Sequence, residues 1–246
     1  MNTIKILGVP INAISEEQAL DVLEGYLDTD TNHVVVTPNP EGVMQALRNP
    51  QLAYAIEQAD LSLADGTGIV MAAKYTRQKI PGRVRGYDTV MALFERLSCK
   101  RKFTVYMLGA KPGVAEKAKT KLEESYPNLK VIGYHHGFFT EDAEIINEIN
   151  NLSPDILLVG LGMPRQELWA TENRKINARI TMCIGGTIDV IAGVAHLPPP
   201  LLRKIGLEWL YRLFKNPSRF KRQLDIPRFM FRVCVHRAHP QRSEEV

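Results

Sequence analysis

Asp65 is the residue whose type and setting first invite a chemical reading. It stands in "LADGTGIV" (63–70), after a short apolar run and before a glycine-rich turn and an apolar helical stretch. An aspartate placed this way can be a metal ligand, a covalent nucleophile, a general base or only a turn residue. Three more polar clusters share the setting: Thr37 and Asn39 in "TPNPEG", Gly160, Gly162, Arg165 and Gln166 in "GLGMPRQE", and Gly185, Gly186, Thr187 and Asp189 in "IGGTIDV". Glycines let backbone N–H groups approach a ligand, and helix N-termini add positive potential. Singly, Thr-Pro-Asn and Asp-Gly are ordinary turn and cap chemistry. Together, each following an apolar run, they suit a pocket for phosphate and sugar.

The loop "IPGRVRGYD" (80–88) adds Arg83, Arg85 and Asp88, and its two arginines are candidates for anion contact. Metal-ligand patterns are weak. Asp28-Thr29-Asp30 precedes an apolar run and so falls at the opposite edge from the clusters. His135 and His136 are adjacent, and on a strand adjacent side chains face opposite ways. A site without metal or other cofactor is therefore expected, with charge met by Arg, Lys and backbone N–H groups. "GAKPGVAEKA" (109–118) lacks the third glycine of a dinucleotide fingerprint, which weakens an oxidoreductase reading.

These clusters need elements to position them. The runs "HVVVT", "LSLA", "FTVYMLG", "KVIGYHHG", "DILLVGLG" and "ITMCIGG" are short, β-branched and apolar at consecutive positions. Helix-like segments separate them. That alternation predicts an α/β protein with a mainly parallel sheet and helices on both faces. In such sheets ligands bind outside the carboxyl ends of the strands, where all four clusters then fall.

The chain of 246 residues carries a formal net charge of +4, unevenly spread. Residues 196–246 hold 11 Lys/Arg against 4 Asp/Glu. An acidic body, 1–195, thus carries a basic appendage, 196–246, which implies an anionic partner. After "AHLPPP" (195–200) the pattern is helical, with Leu202, Ile205, Trp209 and Leu213 on one stripe and Phe220, Phe229 and Phe231 further on. The stripe can seat on an anionic membrane, pack on the body or support a homo-oligomer. No nucleic-acid motif accompanies the basic residues. Residues 239–246 read as disordered. The opening stretch lacks the apolar core of a signal peptide, and no apolar run nears the roughly 20 residues that span a bilayer. Cys99, Cys183 and Cys234 share no close spacing, which fits a reducing, cytoplasmic compartment.

"TPNPE", "ADGTGIV", "IPGRVRGYD", "GLGMPRQE", "IGGTIDVIAG" and "GLEWLYRLFKNPSRFKR" occur in order, and through them the chain resembles the WecG/TagA/CpsF glycosyltransferase family along nearly its whole length. The resemblance implies a Rossmann-like body with a helical appendage that meets the membrane and helps complete the active site. It implies an inverting, metal-independent transfer of N-acetylmannosamine from a UDP-sugar donor to N-acetylglucosamine on undecaprenyl diphosphate. It places the catalytic base on Asp65 and pocket residues on Thr37 and Asn39. Arg83 and Gln166 match family residues that affect activity, and Arg212, Arg219 and Arg222 match arginines that meet diphosphate groups. It further implies a place on the inner face of the cell membrane. Two departures bear on the donor sugar: "AHLPPP" stands where the family has a Lys-Arg-Ala-Pro run, and Arg85 stands at a position more often small or polar.

Overall fold

A computed structural model describes residues 1–215 and 220–238. Six strands form one parallel sheet: β3 (His33–Val36), β4 (Leu61–Ser62), β5 (Phe103–Gly109), β6 (Leu129–His135), β7 (Ile156–Gly160) and β8 (Ile180–Cys183), in the order β4-β3-β8-β7-β5-β6. The apolar runs of the sequence are these six strands. Consecutive residues point to opposite faces, and both faces are covered. Val35, Val105, Met107 and Leu158 lie in one core with helices α1 (Glu16–Tyr26), α5 (Gly86–Ser98), α6 (Val114–Ser125) and α9 (Thr187–Ile191). Val34 and Val36 face a second core with α2 (Pro40–Ala46), α3 (Pro50–Glu57) and α4 (Thr67–Tyr75). Tyr106, Leu108 and Leu157 face a third, with α7 (Ala143–Leu152) and α8 (Arg165–Glu172).

Local signals set the helix starts. Ser15 and Gln18 close a capping box on α1. Asn39-Pro40 and Asn49-Pro50 each supply a side-chain cap followed by a proline at the first turn.

One element had no counterpart in the sequence reading. Thr3–Ile6 (β1) and Val9–Asn12 (β2) pair as an antiparallel hairpin through Leu7 and Gly8, both at positive φ. It backs onto the edge strand β4: the Ser62 N–H donates to Asn12 Oδ1 at 2.7 Å and the Ser62 hydroxyl to the Pro10 carbonyl at 2.7 Å. The hairpin thus covers an edge that would otherwise be open for pairing.

The appendage folds back on the body. The helical pattern from Leu201 is broken into α10 (Pro200–Ile205) and α11 (Glu208–Lys215) at Gly206, which has φ +80°. A Cβ at Gly206 would stand 2.8 Å from Thr67 Oγ1, so only glycine lets this chain pass the start of α4. After α12 (Phe220–Gln223), α13 (Asp225–Ala238) packs on α2 and α4. Phe229 and Val233 are buried in the second core. Asp225, itself buried, receives both Nη groups of Arg48 from the end of α2, and this bonding lowers its carboxyl below the usual range. Phe214, Phe220 and Phe231 stay exposed, so the apolar residues of the appendage divide between core and solvent. Among the described residues no helix is long and apolar enough to cross a membrane. Residues 216–219 and 239–246, including the "NPS" interruption and the last residues read as disordered, lie outside the described residues.

Candidate active site

A cavity of about 690 Å³ opens at the carboxyl ends of the strands. All four polar clusters contribute to it: Thr37 and Asn39 after β3, Asp65 after β4, Gly162 and Gln166 after β7, and Gly185, Gly186, Thr187 and Asp189 after β8. Arg203, Glu208, Tyr211 and Arg222 of the appendage close the other side.

Asp65 is held by its backbone. Its N–H donates to the Pro38 carbonyl at 3.2 Å, which carries the β3–β4 pairing past the strand ends, and to the Leu63 carbonyl at 2.9 Å within its own turn. Gly66 follows with φ +96°, a conformation open to glycine, and turns the chain directly into α4. A Cβ at Gly68 would sit 2.5 Å from Pro40 Cγ, so the start of α4 lies tight against the start of α2. Asp65 and Asn39 are thereby set at neighbouring helix starts on one wall. Asn39 Oδ1 accepts the Gly42 N–H at 2.9 Å, and the Thr37 hydroxyl donates to the Cys183 carbonyl at 3.1 Å. Both residues therefore keep structural hydrogen bonds while lining the cavity.

The strand ends carrying these loops are close-packed backbone. A Cβ at Gly109 would meet the Gly160 carbonyl oxygen at 2.5 Å, and one at Gly160 would meet the Gly185 oxygen at 2.8 Å. Gln166 joins two of these loops: its Oε1 accepts the N–H groups of Gly162 at 3.1 Å and Gly185 at 3.0 Å. Its Nε2 donates to Glu167 Oε1 at 2.8 Å. Glu167 is fully buried, and burial pushes its carboxyl up to about 7, opposed by the Gln166 hydrogen bond. Because the folded value lies above the ordinary 4.5, the associated stability is fully present below that pH and lost as pH rises through about 7. Glu167→Gln should therefore gain stability over the wild type between pH 5 and pH 8, on the order of 3 kcal/mol from the size of the shift. Urea denaturation at the two pH values measures this, and an unchanged difference would count against the carboxyl.

The arginines are linked to carboxylates. Arg85 Nη1 bonds Asp88 at 2.7 Å, and Arg203 Nη2 bonds both oxygens of the same carboxylate at 2.6 Å. Arg222 pairs with Glu41. Arg83 does not line the cavity: it bonds Thr67 Oγ1 at 2.8 Å, Glu208 at 3.0 Å and the Arg203 carbonyl at 2.8 Å. It stitches the 80–88 loop, the start of α4 and the appendage together. Arg212 belongs to α11, but its side chain is outside the described residues, as is all of Arg219. Arg165 lies away from the cavity, over the Phe139 ring at 4.3 Å.

Lys111, Glu208 and Tyr211 line the cavity without having been singled out from the sequence. Lys111 was legible in principle, because it follows strand β5 on the same edge as the other clusters. Among the described residues no group of three or more His, Cys, Asp or Glu is arranged to hold a metal ion.

Fold and cavity define an α/β protein with a polar cavity at its strand ends, under a helical appendage. A sequence profile described as "Glycosyl transferase WecG/TagA/CpsF family" matches residues 4–243. The chain is 32% identical over 212 residues to the N-acetylglucosaminyldiphosphoundecaprenol N-acetyl-beta-D-mannosaminyltransferase of Bacillus spizizenii, covering 86% of this chain and 82% of that protein. It is 31% identical over 235 residues to the protein of the same name in Bacillus subtilis, covering 95% and 91%. A Staphylococcus aureus protein of that name is 32% identical over 239 residues, covering 95% and 93%. The chain belongs to the WecG/TagA/CpsF family of glycosyltransferases.

Proposed function

We propose that the protein moves N-acetylmannosamine from UDP-N-acetylmannosamine to the 4-hydroxyl of N-acetylglucosamine on undecaprenyl diphosphate, with inversion, in teichoic-acid linkage-unit synthesis. The observation that carries the reading is Asp65 on the wall of a strand-end cavity that the basic appendage closes. The names of the relatives support the acceptor and the transferred sugar. In the reaction the acceptor oxygen bonds to the sugar's anomeric carbon as the bond to UDP breaks. The hydroxyl proton passes to the Asp65 carboxylate, and UDP leaves with the bonding electrons. Arg85, Lys111, Arg203 and Arg222 on the cavity wall meet the diphosphate charge without a metal. For the paired arginines this requires an exchange of carboxylate for phosphate.

The appendage, 196–246, works at the inner face of the cell membrane. Leu201, Phe214, Phe220 and Phe231 are exposed on it, with basic residues nearby to face anionic headgroups. The full-length chain should float with vesicles containing anionic lipid, and failure to float would refute the membrane role. The wall formed by Ala195, His196, Leu197 and Pro198 favours a second reading, in which the acceptor is the same and the donor is another UDP-sugar. Incubation with the lipid-linked acceptor and a set of UDP-sugars, with and without EDTA, tests these points together. Transfer from UDP-N-acetylmannosamine that survives EDTA is expected. Transfer from a different donor alone selects the second reading, and no transfer from any donor overturns both.

A further inference from the structure

Glu167 is a buried acid that the proposed mechanism does not use. Its Oε2 finds no hydrogen-bond partner, while its Oε1 accepts from Gln166 Nε2 at 2.8 Å. It sits in the first turn of α8, which packs on α3, β3, β7 and β8. An unpartnered buried carboxyl oxygen costs stability, and an apolar side chain of the same size avoids that cost. What the carboxyl provides in return is an orientation.

The amide of Gln166 has two ends with opposite hydrogen-bonding character. Its oxygen must face the N–H groups of Gly162 and Gly185 to hold both loops. Turned over, it would present N–H to N–H and hold neither. The acceptor at Glu167 Oε1 removes that ambiguity, because it requires the nitrogen to point inward. We propose that Glu167 is a positioning residue for sugar transfer: from inside the core it fixes the amide of Gln166, and through it the two glycine loops of the cavity. Gln166 then acts as a clamp between strand-end loops, although it also reaches the cavity surface. The link to transfer rests on the reaction proposed above, but the link to the loops does not.

The test uses Glu167→Gln and Glu167→Leu in the full chain, alone and in a Gln166→Leu background. Glu167→Gln keeps a carbonyl acceptor and should retain kcat/KM within about threefold. Glu167→Leu should lower kcat/KM tenfold or more while its denaturation midpoint stays near the wild type. Amide hydrogen exchange at Gly162 and Gly185 should quicken in Glu167→Leu and stay protected in Glu167→Gln. In the Gln166→Leu background, Glu167→Leu should add nothing, because the effect travels through that amide. Additive losses in the double variant, or wild-type exchange in a folded Glu167→Leu, overturn the proposal. If the leucine variants do not fold, Glu167→Gln decides: a tenfold fall in kcat/KM with faster glycine exchange overturns it, and retention supports it. If the wild type transfers no sugar, the functional reading falls while the exchange measurements still judge the clamp.

Discussion

Asp65→Asn leaves the fold intact and lowers kcat by about 10²–10⁴, the usual worth of a positioned general base. Two hydrogen bonds that help place this residue are made by its backbone N–H, to Pro38 and Leu63, and survive the change. The turn at Gly66 and the contact of Gly68 with Pro40 are likewise independent of the carboxylate. Asparagine fills the same volume but cannot take the proton of an attacking hydroxyl. The loss should therefore fall on kcat, with KM for donor and acceptor little changed. Steady-state kinetics alongside a thermal melt separate the outcomes. Turnover at the wild-type rate removes Asp65 from the base role. A raised KM with unchanged kcat would make it a binding group instead.

The second large effect lies far from the reacting atoms. Phe229→Ala should cost about 3–5 kcal/mol, the range for emptying a buried phenylalanine site. The ring is fully buried among Val43, Ile69 and Ala72, and approaches the Cβ position of Gly68 to 3.8 Å. That cost is a large share of the stability of an ordinary domain. Release of α13 is the least disruptive response, since it leaves the sheet and its other helices in place. The appendage should then become open to protease at temperatures where the body resists, and activity should fall as the wall carrying Arg222 departs. Phe231→Ala, two residues along on the exposed side, should change stability by under about 0.5 kcal/mol. Limited proteolysis of the two variants side by side makes the comparison. Equal protection of the appendage in both would show that α13 does not depend on Phe229.

The reach and the limit of the sequence follow from how each feature is encoded. The six sheet strands were legible because consecutive apolar residues must be buried on both faces, and the helices between them reveal the parallel order. The placing of Asp65, Thr37 and Asn39 at the cavity followed from strand-end position, whereas their roles came only through the family resemblance. The β1–β2 hairpin was not legible, since its turn, Leu7-Gly8, lacks the usual Asn-Gly or Asp-Gly signal. Nor could an amphipathic stripe say what it packs against. Phe229 and Phe231 read alike in sequence, yet one faces α2 and α4 and the other solvent. The clamp at Gln166 depends on N–H groups from two loops, and Arg83 bonds Glu208 from 125 positions away. Neither partnership leaves a local trace.

The stacked carbonyl contacts of Gly109, Gly160 and Gly185 govern what a mutational survey of this enzyme can report. Alanine scanning asks what a side chain contributes, and here there is none to remove. Alanine at Gly109 or Gly160 instead forces neighbouring strand ends apart, so lost activity at these positions measures intrusion and not a missing ligand contact. Peptide groups of Gly162, Gly185 and Gly186, which do line the cavity, would stay hidden in such a survey. A backbone change that preserves volume, such as an amide-to-ester replacement at the cavity-lining Gly186, addresses them directly.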